Sequence, residues 1–432
     1  MNKIHSTITL LFGILLLLSN ATLSAHAEGK VYLDITASGT RKINMAVPSF
    51  TNTAQSGDSR AFGHELAGTL EKALEFHGII SIIPNQNYAG SGSPDWKQLG
   101  ADYTILGSYS MSPAGMNFEM RLVDIAKGDT ILGKQYTGTA EQKQEIMFKF
   151  CDNVIKELTG EQGIASSQIA FISDSSGAKE AYLTNILGDK TRQITRHRNL
   201  VISPRFTPDG KSLSYTSYHK ANQDLYITNL DQSTTTQVLS RRKGMNLAPA
   251  WSPDGQKMVL TMSKDGNPDL YMLDRQGNVL EQLTARTGIN VSASWSPDGR
   301  RIAFVSDRSG KPQVYLMDLN TKNVQRLTFQ GTENAEPAWS PKGDLLAYSS
   351  LTNGSYQICT ILPEAGATPV QVTKDSGHHE SPDWSPDGKQ LIFVKREGGG
   401  QRIYAILKNG TYQRQLFSLK GNQTYPRWSS KK

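Results

Sequence analysis

One pattern dominates the back of this chain. An aromatic residue followed by a short turn recurs as Phe206-Thr-Pro-Asp-Gly, Trp251-Ser-Pro-Asp-Gly, Trp295-Ser-Pro-Asp-Gly, Trp339-Ser-Pro-Lys-Gly and Trp384-Ser-Pro-Asp-Gly, and ends in Trp428-Ser-Ser. The steps between the aromatics are 45, 44, 44, 45 and 44 residues. A period in the forties made only of short strands is the signature of propeller blades. One such unit leaves both faces of its sheet wet, so the units must stack on one another to bury a core.

Further columns keep the register. Nine residues after each aromatic stands Tyr215, Leu260, Phe304, Tyr348 or Phe393, and twenty after stands Tyr226, Tyr271, Tyr315, Cys359 or Tyr404. These columns read as packing between neighbouring blades. In the third copy, four strands are predicted over Asn290 to Trp295, Arg301 to Ser306, Gln313 to Asp318 and Val324 to Thr328. In the Ser-Pro-Asp-Gly link Pro presets φ at the first turn position, Asp suits the second, and Gly takes the positive-φ position.

The two ends of the array complete each other. Ile169 to Thr195 carries second, third and outer strands with no aromatic turn before them, whereas Thr424 to Ser429 is an inner strand with no blade after it. Pairing the two predicts six blades closed by the C-terminal strand, which leaves no long edge unpaired.

The front of the chain reads as α/β. Strands are expected at Val31 to Ile35, Ile43 to Phe50, Ile79 to Ile83 and Tyr103 to Ser110, with a hairpin of Phe118 to Ile125 and Thr130 to Thr137. Helices are expected at Arg60 to His77, stopped by Gly78, and at Glu141 to Leu158. The fold class is therefore an α/β N-terminal domain, residues 28–161, followed by an all-β six-bladed propeller, residues 162–432.

Residues 1–27 read as a secretory signal. Lys3 precedes the apolar run Ile8 to Leu18, and Ala25-His26-Ala27 supplies the small-residue cleavage pattern. The run is too short to span a bilayer, which takes roughly twenty residues, so the mature chain is expected to be exported, soluble and at most peripheral to membranes. Charge divides by region: residues 28–161 carry 12 Lys and Arg against 16 Asp and Glu, and residues 162–432 carry 33 against 23. An acidic module joined to a basic one, in an exported chain, points to an acidic protein or envelope polymer as partner rather than to nucleic acid.

Motifs that would carry chemistry are missing. The sequence has no Gly-x-Ser-x-Gly nucleophile elbow, and His64-Glu65 is not followed by a second His at metalloprotease spacing. With two cysteines, a four-cysteine zinc site and a disulfide scaffold are excluded; Cys151 and Cys359 read as core residues. Asp265 to Asp269 begins like a calcium loop but lacks the Gly and Glu such a loop needs. His378-His379-Glu380, placed in the link from an outer strand to the next inner strand, is the most ligand-like cluster and carries the rival reading, a propeller hydrolase or lyase acting on an envelope glycan or peptide. No catalytic residue, metal or cofactor is assigned.

What remains is a surface. Links from outer to next inner strand gather at one mouth of a propeller channel, and here they are polar and basic, which suits docking of a protein or an inserted peptide.

The front-domain runs Gly100-Ala101-Asp102-Tyr103-Thr104-Ile105-Leu106-Gly107, Phe118-Glu119-Met120-Arg121-Leu122-Val123-Asp124, Leu132-Gly133-Lys134-Gln135-Tyr136 and Leu158-Thr159-Gly160-Glu161, together with the propeller, resemble the TolB family, the periplasmic component of the Tol–Pal envelope system. The resemblance implies a non-enzymatic adaptor supporting outer-membrane integrity and constriction during cell division. It implies that the propeller mouth binds the lipoprotein Pal, that the mature N-terminal segment engages TolA, and that other outer-membrane proteins are further candidate partners. Carried onto this chain, the mouth role falls on Arg198, Met245, Asn246, Ala248, Asn290, Ser292, Asn334, Glu336, His379, Glu380 and Thr424, with Met245 standing where the family often has His. The N-terminal role falls on Glu28, Lys30, Tyr32, Asp34 and Ile35.

Overall fold

The computed structural model describes residues 41–54, 60–89, 94–113, 115–231 and 235–430, all within one compact unit, Asp34–Lys432. The signal, the first predicted strand and the five N-terminal site residues Glu28, Lys30, Tyr32, Asp34 and Ile35 lie outside the described residues.

The front sheet is built from β1 (Ile43–Ala46), β2 (Thr51–Asn52), β3 (Ile80–Ile82), β4 (Tyr103–Ser112), β5 (Gly115–Asp124) and β6 (Thr130–Gly138), with helices α1 (Arg60–Phe76) and α2 (Lys143–Thr159). Its order is β3-β1-β4-β5-β6, and β2 pairs with β4. β1 runs parallel to both neighbours, while β4, β5 and β6 form an antiparallel meander. The single strand expected over Ile43 to Phe50 is divided in two. Pro48 has no N–H to give the ladder, and the Phe50 N–H donates instead to the Gly63 carbonyl of α1 at 3.1 Å. α2 begins at Lys143, two residues later than expected, because a 3₁₀ turn over Ala140–Gln142 precedes it, with Thr139 and Gln142 forming a capping box.

Six four-stranded sheets follow among the described residues. Their inner strands are Val201–Phe206, Asn246–Trp251, Asn290–Trp295, Glu333–Trp339, His378–Trp384 and Gln423–Trp428, and each touches the next around a closed ring. The C-terminal strand Gln423–Trp428 pairs antiparallel with Gln168–Ser173 of the first-entered blade, so the chain's end closes a six-bladed propeller. The two aromatic columns are cross-strand partners: Tyr215 faces Tyr226, Phe304 faces Tyr315, Tyr348 faces Cys359 and Phe393 faces Tyr404. Side chains of successive blades interleave around these pairs, as where Val259 and Met272 pack against Phe304 and Tyr315. Both cysteines are buried and free.

The repeated turn is held as its residue types require. The Gly255 N–H donates to the Ser252 carbonyl at 2.8 Å, Gly255 takes φ 67°, and Asp254 Oδ1 accepts from the Ser252 hydroxyl and the Gln256 N–H. In the fourth copy Lys342 replaces Asp, and Asp344 accepts from Ser340 Oγ at 2.6 Å in its place. That exchange frees Lys342 to pair with Glu161 of the front module at 2.5 Å, beside Lys389 at 3.1 Å.

The two parts share one core. Phe76, Leu158 and Ile164 cluster with Phe171, Ile392, Ile403 and Trp428 of the propeller. The connecting segment is anchored by a side chain of α2 and by the residue that follows α1: Asp152 accepts from Ala165 N at 2.6 Å and Ser166 N at 3.0 Å, and His77 Nε2 accepts from Ile164 N at 3.1 Å.

Candidate interaction surface of the propeller channel

Each inner strand breaks its ladder at the same place. In the blade of Val201–Phe206, Ile202 pairs with Thr216 and Arg205 with Ser214, so two residues stand against one. The first residue of the pair has positive φ in all six blades: Ser203, Ala248, Ser292, Glu336, Ser381 and Tyr425, between 50° and 57°. The second is Pro204, Pro249, Pro337, Pro382 or Pro426, with Ala293 as the exception. A bulge needs no ladder hydrogen bond from its second residue, which is why Pro is tolerated inside these strands. The left-handed conformation at six non-glycine positions costs of order 1 kcal/mol each, and the ring of blades holds them there.

Four of these bulges reach the channel axis. Ser203, Ala248, Ser292 and Glu336 line a small cavity within it, of about 30 Å³. Glu336 accepts from Ser381 N at 2.7 Å, Ser381 Oγ at 2.6 Å and Ser349 Oγ at 3.0 Å, so its carboxylate ties adjacent blades while facing the axis. Three of the sequence-predicted mouth residues, Ala248, Ser292 and Glu336, are thus brought together.

Four others are not presented to the mouth. Asn246, Asn290, Asn334 and His379 have no exposed surface. They occupy one column, five residues before each tryptophan, and their side chains are spent on the loops above them. Asn246 Nδ2 donates to the Arg242 carbonyl at 2.7 Å. Asn290 Nδ2 donates to Asp269 Oδ1 and the Gly288 carbonyl, both at 2.9 Å, while Arg308 donates to Asn290 Oδ1 at 2.8 Å. Asn334 Nδ2 donates to Gln313 Oε1 and the Gln330 carbonyl, both at 2.8 Å. His379 Nε2 lies 3.1 Å from Asp375 Oδ1, and burial lowers its pKa below the usual histidine range against the pull of Asp375. In the chain by itself these four side chains face the mouth loops. The column was visible in the sequence, but only the fold shows that its side chains turn inward.

The expected loop position of His378-His379-Glu380 is also corrected. These residues open the inner strand His378–Trp384 and pair with Arg396, Lys395 and Val394. The neighbouring strand Gln390–Glu397 is eight residues long, against six in the corresponding strand Arg301–Ser306, and carries the ladder further toward the mouth. Glu380 is half-buried beside Arg396 at 3.5 Å, and burial raises its pKa. Among the described residues no three His, Cys, Asp or Glu side chains gather as a metal-binding group.

Arg198, at φ 55° with its N–H donating to Glu180 Oε1 at 2.6 Å, is exposed on the rim, and Met245 and Thr424 are half-buried there. Sequence reasoning missed a histidine pair at the same mouth. His197 and His219 stand with ring centroids 4.2 Å apart, linked through Ser217 Oγ at 2.6 and 3.0 Å. Burial, then the neighbouring ring, keeps His197 below the usual histidine range. Their contact joins two different loops, a juxtaposition that no spacing along the chain signals.

The family model described as the TolB amino-terminal domain matches residues 31–131, and that of the TolB beta propeller domain matches residues 155–432. The chain is 54% identical over 429 residues to the Tol-Pal system protein TolB of Desulfotalea psychrophila, covering 99% of this chain and 98% of that one. It is 37% identical to the protein of the same name from Desulfosudis oleivorans over 53% of this chain and 54% of that one. Among solved structures, TolB from Acinetobacter baumannii superposes with a TM-score of 0.79 at 25% identity, covering 91% of this chain and 98% of that one. Among the described residues no helix is long and apolar enough to cross a membrane.

Proposed function

The chain belongs to the TolB family of Tol-Pal system proteins, and from that premise we propose that it is a periplasmic, non-enzymatic adaptor whose propeller mouth binds the lipoprotein Pal and whose mature N-terminal segment, residues 28–37, engages TolA. In that role it supports outer-membrane integrity and constriction during division. The observation that carries the reading is the construction of the mouth. Four buried column residues, Asn246, Asn290, Asn334 and His379, brace the loops from below, and the bulges at Ser203, Ala248, Ser292 and Glu336 present small or acidic groups to the axis, so the docking surface is preorganised and little ordering entropy is lost on binding. The rim is basic, with Arg198, Arg241 and Arg286 exposed, which favours an acidic partner surface and a fast, salt-sensitive encounter.

The test uses purified Pal and TolA with the mature protein. Replacing Met245 with Trp and Glu336 with Lys is expected to weaken Pal binding while the circular dichroism spectrum stays that of the folded ring. Removing residues 28–37 is expected to abolish TolA binding and leave Pal binding intact. Normal Pal binding by both mouth variants would refute the mouth assignment, and unchanged TolA affinity would refute the N-terminal one.

A further inference from the structure

The channel end opposite the mouth, where the repeated turns converge, opens into a cavity of about 350 Å³. Its wall is made by Trp251, Trp295, Trp339, Trp384 and Trp428 with prolines of the turns, and its floor by Arg205, Asp383 and Arg427. The floor residues immediately precede the aromatic of their strands, on three inner strands adjacent in the ring.

The donors on this floor outnumber their acceptors. Arg427 is only 6% exposed, donates to the Pro426 carbonyl at 2.8 Å and the Ser381 carbonyl at 3.4 Å, and leaves its Nε without a hydrogen-bond partner. Arg205 reaches Asp383 Oδ1 at 3.5 Å. The other Asp383 oxygen already accepts from Trp428 N at 2.7 Å. Two guanidiniums therefore face one carboxylate on this side, and Glu336 lies on the far side of them, engaged by Ser349 and Ser381. A buried guanidinium with unmade hydrogen bonds is costly, and guanidinium donors in a shielded, aromatic-walled pocket match a planar carboxylate.

We propose that this vestibule is a carboxylate-binding pocket, separate from the mouth. The carboxylate pairs with the guanidinium groups of Arg427 and Arg205 that line the cavity, and the apolar body behind it lies against the tryptophan and proline wall. Two sources share this chemistry, a free small organic acid and the C-terminal carboxylate of a peptide.

Tryptophan emission reads the pocket directly, since five of the chain's six tryptophans line it; Trp96→Phe removes the sixth. The mature protein in this background is titrated with N-acetyl-Leu-Ala as the free acid, with its C-terminal amide, and with sodium acetate. The free acid is expected to give a saturable change, with the amide at least tenfold weaker. Arg427→Gln and Arg205→Gln are each expected to weaken the acid at least tenfold. Should these buried changes impair folding, Pro253→Asp, exposed at the rim, is expected to weaken the acid and spare the amide. Competition by acetate assigns the site to small acids in general, and binding of the peptide acid without such competition assigns it to a chain terminus. No saturable response to the acid, equal binding of acid and amide, or an unchanged response in folded Arg427→Gln or Pro253→Asp protein would overturn the proposal.

Discussion

Phe76 and Trp428 meet edge to face, their ring centroids 5.9 Å apart at 74°. Phe76 is the last residue of α1, and Trp428 ends the strand that closes the propeller, so the front module rests on the ring's own seam. The Phe76 carbonyl accepts from Arg414 at 2.6 Å and from Gln390 Nε2 at 3.2 Å, and Trp428 Nε1 donates to Ser167 Oγ at 2.6 Å.

Closure and docking should therefore fail together. Trp428→Ala is expected to cost about 3–5 kcal/mol and to loosen both parts at once. Urea denaturation followed by tryptophan emission and by far-ultraviolet circular dichroism checks this: wild type should show one coincident transition, and the variant the same coincidence at a lower midpoint. A front module that keeps its own unchanged transition in the variant would contradict a shared core.

His77 makes stability depend on pH. Its Nδ1 is 2.9 Å from the Ala73 carbonyl and its Nε2 accepts from Ile164 N, an arrangement only the neutral ring with a proton on Nδ1 can make. Burial holds its pKa down, opposed by Asp152. Below the unfolded histidine value, about 6.5, the unfolded chain binds a proton that the folded chain refuses, so stability falls as pH drops from there toward the lowered folded pKa. The slope for one such group is about 1.4 kcal/mol per pH unit. Denaturation midpoints between pH 7.5 and 5.5 should show a shallower fall in His77→Gln than in wild type.

Asn290→Ala separates bracing from contact. It strips acceptors and donors from Asp269, Arg308 and the Gly288 carbonyl, and is expected to cost about 1–3 kcal/mol. Because the side chain is wholly buried, any loss of Pal affinity should come from loop disorder, visible as faster hydrogen exchange over residues 286–292. Weakened Pal binding with exchange unchanged would mean that Asn290 meets the partner directly.

Two glycines of similar φ test blade-to-blade fit. At Gly277, φ 89°, an added Cβ would fall 1.9 Å from the Leu239 carbonyl oxygen of the preceding blade, whereas at Gly266, φ 92°, it would meet nothing within 4 Å. Gly266→Ala should cost only the backbone term, about 1–2 kcal/mol, and Gly277→Ala about 1–3 kcal/mol more from overpacking. Thermal midpoints of the two variants decide it.

The blades were legible in the sequence because their turn chemistry and their cross-strand aromatics repeat at a fixed period, and each copy confirms the others. The closing strand was legible for the same reason: an unpaired inner strand and an incomplete blade specify one another. The burial of the column Asn246, Asn290, Asn334 and His379 was not legible, because polarity in a mouth segment says nothing about which way a side chain turns. The bulge that re-aims these strands is written in the prolines two residues before the aromatics, a signal that becomes readable once the ladder partners are known.

The sequence by itself determined the number of blades, the turns between their first strands and the division into an acidic front and a basic back, since each shows in a recurring local pattern, in regional composition or in two incomplete ends that complete one another. Tertiary structure decided the rest. Arg205, Asp383 and Arg427 share one channel floor although 222 positions separate the first from the last, and Lys342 and Lys389 reach Glu161 across the seam. Such encounters arise from ring closure and from the packing of the front module on the ring, which bring distant segments together in space without any local pattern to announce it.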